Sequence, residues 1–369
     1  MTEPEGNMSD WPSHGGRPEG MLLNLGLASN AQVIDFSANF NPLGPPSWLM
    51  ERLAASLAEL NVYPDPDYTE ACRAIAWAEG LTPEQVRLTN GGAEAIFLAA
   101  ALLAKQGARR AVVVQPTFCE YERACRHYGI GVQHLALEAG SFALDEARAL
   151  EGIRDADAVF LCRPNNPTGT LIERDQVECL LAESHRCGTT LVVDEAFVDF
   201  VSPDERLTPL LARYDNLLLL RSMTKLYAIP GLRLGYLLGD GPTVDRIAEL
   251  QLPWSVNTLA AGLVERLLGD RNFLERTQEW ISIEGPWLQR ELEALGLRVV
   301  PSRANFLLLQ GRTKAQAAPL LLEYLARSGF LARHTHNFMG LDGAWLRIAV
   351  RSRQENTLLI EAIARWRPS

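Results

Sequence analysis

The chain has 369 residues, 47% of them hydrophobic, and a formal net charge of −10 at pH 7. That acidic balance excludes a binder of nucleic-acid backbones, which needs lysines and arginines in excess, but it leaves room for a small anion held by a few local arginines. The longest apolar runs, such as AIFLAAALLA, are too short to cross a bilayer, and the acidic start MTEPEGNMSDWPSHGGRP is unlike a secretory signal.

Residues 1–45 are loop-rich and are expected to pack on a smaller C-terminal domain. From about residue 86, short Val- and Leu-rich runs alternate with helical patterns. VRLTN precedes the helical EAIFLAAALLAKQG, and RRAVVVQPT precedes the helical CEYERACRHYG. DAVFLCRP, the helical ERDQVECLLAESHRCG, TTLVVDEAFVDF, NLLLLRSM and LRLGYLLGD follow. This alternation predicts an α/β domain over residues 46–285, its mostly parallel sheet covered by helices on both faces. From 286 to 369, ANFLLLQ, LARHTHNF and LRIAVRS predict a smaller α+β domain. Six cysteines (Cys72, Cys119, Cys125, Cys162, Cys179 and Cys187) form no CxxC pair, which points to reduced thiols in a cytoplasmic protein and to no metal site.

Open α/β sheets bind ligands beyond the carboxyl ends of their strands, and the polar motifs fall there. Asn166 lies in PNNPTG, Asp194 follows 28 residues later in VVDEAF, and Ser222-x-x-Lys225 precedes Arg233 by eight residues from the lysine. Each piece has a plain alternative: a turn for NPTG, a helix N-cap for Asp194, a solvated helix for SxxK. Together, an amide, a carboxylate, an amine and a guanidinium suit a cofactor with a pyridine ring, an aldehyde and a phosphate. The glycines of GLRLGYLLGDG lack GxGxxG spacing, which argues against a dinucleotide.

In this order and spacing the motifs resemble the pyridoxal-phosphate aminotransferases of fold type I, along essentially the whole chain. The resemblance implies that Lys225 condenses with the cofactor aldehyde and later moves protons at the substrate Cα. It implies that Asp194 pairs with the pyridine nitrogen and that Asn166 donates to the phenolic oxygen. Ser222, Arg233 and the backbone N–H groups of Gly92 and Ala93, at the start of a helix, would hold the phosphate. Phe118 would stack on the ring, and Tyr63 would reach the cofactor phosphate of a partner subunit, so a homodimer is implied. TNGGAEAIF lacks the Ser or Thr hydroxyl that many members place on the phosphate.

SHGG (13–16), DFSANFNPLGPP (35–46), QLPWSVN (251–257) and LRIAVRS (346–352) further resemble the L-threonine O-3-phosphate decarboxylase family. That resemblance implies release of CO₂ to give (R)-1-amino-2-propanol O-2-phosphate for the nucleotide loop of cobalamin. It implies an anion pocket of His14, Gly15, Asn39, Asn166, Arg333 and Arg347. From spacing alone, Arg347, Arg351 and Arg353 would share one face of a regular strand, and His334 and His336 are expected at the surface. The alternative is a histidinol-phosphate aminotransferase or related phosphoamino-acid aminotransferase. Against it, that family usually reads Asp-Glu-Ala-Tyr where this chain has Asp194-Glu195-Ala196-Phe197. A non-catalytic regulator on the same fold would carry a basic DNA-binding domain, for which the acidic chain has no room.

Overall fold

The computed structural model describes residues 11–12, 14–313 and 316–367. In chain order the first strands are β1 (Ile34–Asp35), β2 (Val86–Thr89), β3 (Arg110–Gln115), β4 (Gly131–Ala136) and β5 (Ala158–Cys162). Then come β6 (Thr190–Asp194), β7 (Leu217–Ser222), β8 (Gly235–Leu238), β9 (Leu297–Val299) and β10 (Phe306–Gly311). The last are β11 (Phe330–Leu331), β12 (Arg333–His334) and β13 (Leu346–Ala349).

Seven strands form the large sheet in the order β2-β8-β7-β6-β5-β3-β4, and β8 alone runs against its neighbours. Alternate residues of a strand face opposite sides, so the apolar runs feed two cores. Val112, Val159, Leu161, Val193 and Leu219 join one, with Val177 and Leu181 of the helix Arg174–Cys187. Val113, Phe160, Val192 and Leu218 join the other, with Ala95, Ala99 and Leu103 of the helix Gly91–Lys105. A continuous Val/Leu run is what a strand covered on both faces requires, since neither side of it meets water. The edge strand β4 (GVQHLA) is half exposed, and this mixed pattern hid it from a search for apolar runs.

A second, four-stranded antiparallel sheet has the order β12-β13-β10-β9. The helices Ala318–Arg327 and Arg353–Arg365 pack on it, together with Ile281, Leu288 and Leu292 of the long helix Arg271–Ala294. Residue 286, expected as a boundary, is Pro286 inside that helix. Met21, Leu22 and Phe36 join the same core, and β1 pairs in parallel with β11. TTLVVDEAFVDF stops being a strand at Asp194 and ends in a 3₁₀ turn at Val198–Phe200.

The shared strand face proposed for the three C-terminal arginines is corrected. β13 ends at Ala349, Arg351 lies past it, and Arg353 opens a helix capped by Ser352 and Glu355. The capping box takes the chain out of the strand before the alternation reaches Arg351.

Candidate active site

The sheet rule places the site. β5 leads to Asn166, β6 ends in Asp194, β7 ends in Ser222, and the loop after β3 carries Phe118. Between these strand ends and the smaller sheet lies a cavity of about 450 Å³. Its walls carry Lys225, Asn166, Asp194, Ser222, Arg233, Phe118, Gly92 and Ala93 from the expected cofactor set. They also carry His14, Gly15, Asn39, Arg333 and Arg347 from the expected substrate set. Ser13 of SHGG lies outside the described residues. Tyr63 is not part of this wall; its ring is 78% exposed and packs 4.9 Å from that of Trp254.

Lys225 sits one turn past β7 on the short helix Met223–Leu226, its ammonium 5.2 Å from the centre of the Phe40 ring. Burial, then the charges of Arg347 and Arg233, pull the amine down to about 8, and Asp194 acts the other way. Asp194 is buried, which pushes its carboxyl up; the Tyr121 hydroxyl donates to its Oδ2 at 2.7 Å and the Ala196 N–H to its Oδ1 at 2.9 Å. Tyr121 was missed in the sequence because Glu-Tyr at a helix start carries no spacing to a second motif.

Gly92 and Ala93, in the first turn of the helix Gly91–Lys105, also line the cavity, where the free N–H groups of a helix start and the helix dipole favour an anion. Gly91 has φ +76° and passes so close to Arg233 that a Cβ there would lie 2.5 Å from its Nη2. The positive φ favours glycine here. Ser222 Oγ and Thr224 Oγ1 share a hydrogen bond of 2.8 Å beside this cradle. Guanidinium, hydroxyl and helix N-terminus thus line one cavity together with the Asp194 carboxylate. The guanidinium, hydroxyl and N–H donors fit the phosphate, the Asp194 carboxylate fits a protonated ring nitrogen, and the Lys225 amine fits the aldehyde of pyridoxal phosphate.

The smaller sheet supplies the arginines. Arg347 of β13 donates from Nη1 to Asn166 Oδ1 and, at 2.9 Å, from Nη2 to the Ser37 carbonyl, while its Nε has no hydrogen-bond partner. Burial brings it down to about 9, with the Arg333 charge adding to the effect. Arg333 of β12, opposite Arg347 in the register, is lowered by burial to about 10. It donates to the Pro12 carbonyl at 3.0 Å and to Asn337 Oδ1 at 2.8 Å. The buried Asn39 Oδ1 is also without a partner.

The competing arginines are spent elsewhere. Arg351 donates to the Asp35 carbonyl at 2.9 Å and pairs with Glu355 at 2.6 Å. Arg353 pairs with Glu284 at 2.9 Å and lies over the Trp287 ring. His334 is corrected too: it is 1% exposed, contacts Arg333 and the Pro12 carbonyl, and is held by burial at about 3, hence neutral. His336 is half-buried against Trp11. Phe197 is buried beside Asn166 and meets Phe306 edge-on, so its side chain brings no donor to the site.

Comparisons with known proteins agree with this layout. The chain is 38% identical over 355 residues to the threonine-phosphate decarboxylase of Salmonella typhimurium, covering 95% of each. Among solved structures, the L-threonine-O-3-phosphate decarboxylase of Porphyromonas gingivalis superimposes with a TM-score of 0.78 at 27% identity, covering 90% of this chain and 98% of that one. The histidinol-phosphate aminotransferase of Clostridium acetobutylicum does so at 0.84 and 29%, with the same coverage. The architecture is that of the fold type I pyridoxal-phosphate enzymes. The model of the family "Aminotransferase class I and II" matches residues 31–363, and the chain belongs to that family.

Proposed function

We propose that this protein is a pyridoxal-phosphate enzyme that decarboxylates L-threonine O-3-phosphate to (R)-1-amino-2-propanol O-2-phosphate and CO₂, a step toward the nucleotide loop of cobalamin. The observation that carries the reading is the pair of buried arginines, Arg333 and Arg347, facing Lys225 across one cavity. A doubly anionic amino acid needs two such groups, and Arg347 hydrogen-bonds only neutral oxygens before it arrives.

Gly92, Ala93, Ser222 and Arg233 would hold the cofactor phosphate, Asp194 the pyridine nitrogen, Asn166 the phenolic oxygen, and Phe118 the ring face. Bound there, the cofactor supplies the sink for the electron pair left when the bond from Cα to the carboxylate breaks. Reaction type then depends on which Cα bond stands perpendicular to the ring, and the remote anchors decide that. With the substrate phosphate drawn to Arg333, Arg347, His14, Gly15 and Asn39, the carboxylate is free to take the perpendicular position and leave. Lys225, its amine lowered toward neutrality, then delivers the replacing proton to Cα.

The reading includes a cytoplasmic homodimer in which Tyr63 reaches the partner's cofactor phosphate, and a division at about residues 45 and 285. Exposure of Leu60, Val62, Tyr63 and Trp254 on one surface supports the dimer.

The test is to incubate the holoenzyme with L-threonine O-3-phosphate and no keto acid. CO₂ and an aminopropanol phosphate over many turnovers are expected. Amino transfer from histidinol phosphate to 2-oxoglutarate, without CO₂, would overturn the decarboxylase in favour of the aminotransferase.

A further inference from the structure

Glu120 has no part in the reading above, yet it faces the same cavity as Arg333 and Arg347 and is 5% exposed. A buried carboxylate in a pocket for a doubly anionic substrate is a paradox, because uncompensated it would repel the ligand. Its described ion-pair partners are His14, with Nε2 at 3.1 Å, and Arg123, with Nη1 at 3.3 Å. The His14 hydrogen bond, ahead of the Arg123 charge, holds the carboxyl below its ordinary range despite burial.

His14 stands on an N-terminal strap whose Gly15 lines the cavity with it. Trp11 packs 4.7 Å from the His334 ring, and the Pro12 carbonyl accepts from Arg333. Gly15 lies so tightly on the Ser37 carbonyl that a Cβ would come within 2.3 Å, and the Gly16 N–H donates to Ser37 Oγ at 3.1 Å. These contacts fix the backbone of the strap to the smaller sheet and the loop before it. They do not fix the imidazole, half-exposed between them and 5.8 Å from the Phe118 ring. Glu120, on the helix Glu120–His127 that follows β3, is the group that reaches across to the ring.

We propose that Glu120 is a positioning residue for substrate binding: it accepts from His14 Nε2–H, holds the ring against the cavity wall, and leaves the Nδ1–H of the imidazolium to donate to the anion of the substrate. The inference rests on His14 being an anion-binding group of the proposed decarboxylase. It explains the paradox, since the carboxylate acts on the substrate through an imidazole rather than directly. Arg123 keeps Glu120 paired when His14 is removed, so the pair suits a double-mutant cycle.

The experiment is that cycle on the holoenzyme, with the dissociation constant of L-threonine O-3-phosphate read from the cofactor absorbance and CO₂ release followed in parallel. Glu120→Ala is expected to weaken binding about tenfold, the scale of one charge-assisted hydrogen bond, with kcat changed less than about threefold. Glu120→Gln, which keeps an acceptor, should recover most of the loss. In a His14→Ala background, Glu120→Ala should add less than about twofold. Additive losses, tighter binding in Glu120→Ala, or an equal loss of cofactor affinity would each overturn the proposal. If Glu120→Ala does not fold, Glu120→Met, which fills the site without an acceptor, runs the same cycle with His14→Ala. Tight binding without CO₂ would refute the decarboxylase and leave the cycle readable; no binding to the wild type would refute both.

Discussion

Two groups of buried arginines lie close together in this molecule and are treated in opposite ways. Behind the strand ends, Arg163 donates to the Ile172 carbonyl at 2.6 Å and pairs with Glu205 at 2.7 Å and Glu195 at 3.3 Å. Arg221 meets Glu195 at 2.9 Å and Glu79 at 3.7 Å. Burial acts to lower Arg221, but the charges of Glu195 and Glu79 outweigh it and hold it above its ordinary value. In the cavity, burial wins: Arg347 falls to about 9 and Arg333 to about 10. A buried cation with carboxylates around it is finished structure. Arg347, resting on the neutral oxygens of Asn166 and Ser37, is still short of its counter-charge, and a bound anion would complete it. The paired set ties β5, β6 and β7 together one residue away from Asp194 and Ser222, and the other set lines the cavity where the proposed substrate would bind.

Changes to each group should separate catalysis, stability and binding. The largest effect is expected at the shared centre: Lys225→Ala should lower CO₂ release by about 10³-fold or more and abolish the absorbance of the amine-bound cofactor. In the paired group, Glu195→Ala removes the carboxylate shared by two buried guanidiniums, leaving Arg163 with Glu205 and Arg221 with Glu79, and should cost about 3 kcal/mol, read from the denaturant midpoint with m unchanged. In the cavity group, Arg347→Ala should reduce kcat/KM for threonine phosphate about 10²-fold while cofactor affinity stays within about threefold. Equal losses of substrate and cofactor would erase the distinction between the groups.

The pH dependence sharpens it further. Burial would raise Glu79, but Arg221, then Arg206, bring it down to about 2 from an ordinary 4.5. Its folded value is depressed, so its stabilisation is full above 4.5 and fades as pH falls toward 2. Thermal melting from pH 6 down to pH 2.5 should show a loss that Glu79→Gln flattens. The smallest effect belongs to the arginine that competed with Arg347 in the sequence. Arg351→Ala removes a half-exposed pair with Glu355 and should shift stability by at most about 1 kcal/mol, with KM unchanged.

Much of the site was legible because each of its parts is local. Asn166, Asp194, Ser222 and Lys225 each follow a Val- or Leu-rich strand within a few residues, and parallel strands put all those ends on one edge. The relationship of Arg347 to its neighbours was not legible, since alternation in LRIAVRS says nothing of where a capping box will end the strand. Nor were His334 and Glu120, because the partners that define them, Arg333 with Trp11 and His14 with Arg123, combine adjacent residues with others more than a hundred positions away.

Composition and periodicity alone determined a large α/β sheet covered on both faces, with a carboxylate, an amine and an amide at its carboxyl edge. The tertiary structure decided which of three arginines faces the cavity, which histidine is buried, and where a carboxylate stands beside an anion site. The physical reason is range. Apolar pattern acts through burial of a strand's own neighbours, whereas the charge state and aim of Arg347, His334 and Glu120 depend on groups that only the folded chain brings within about 3–5 Å.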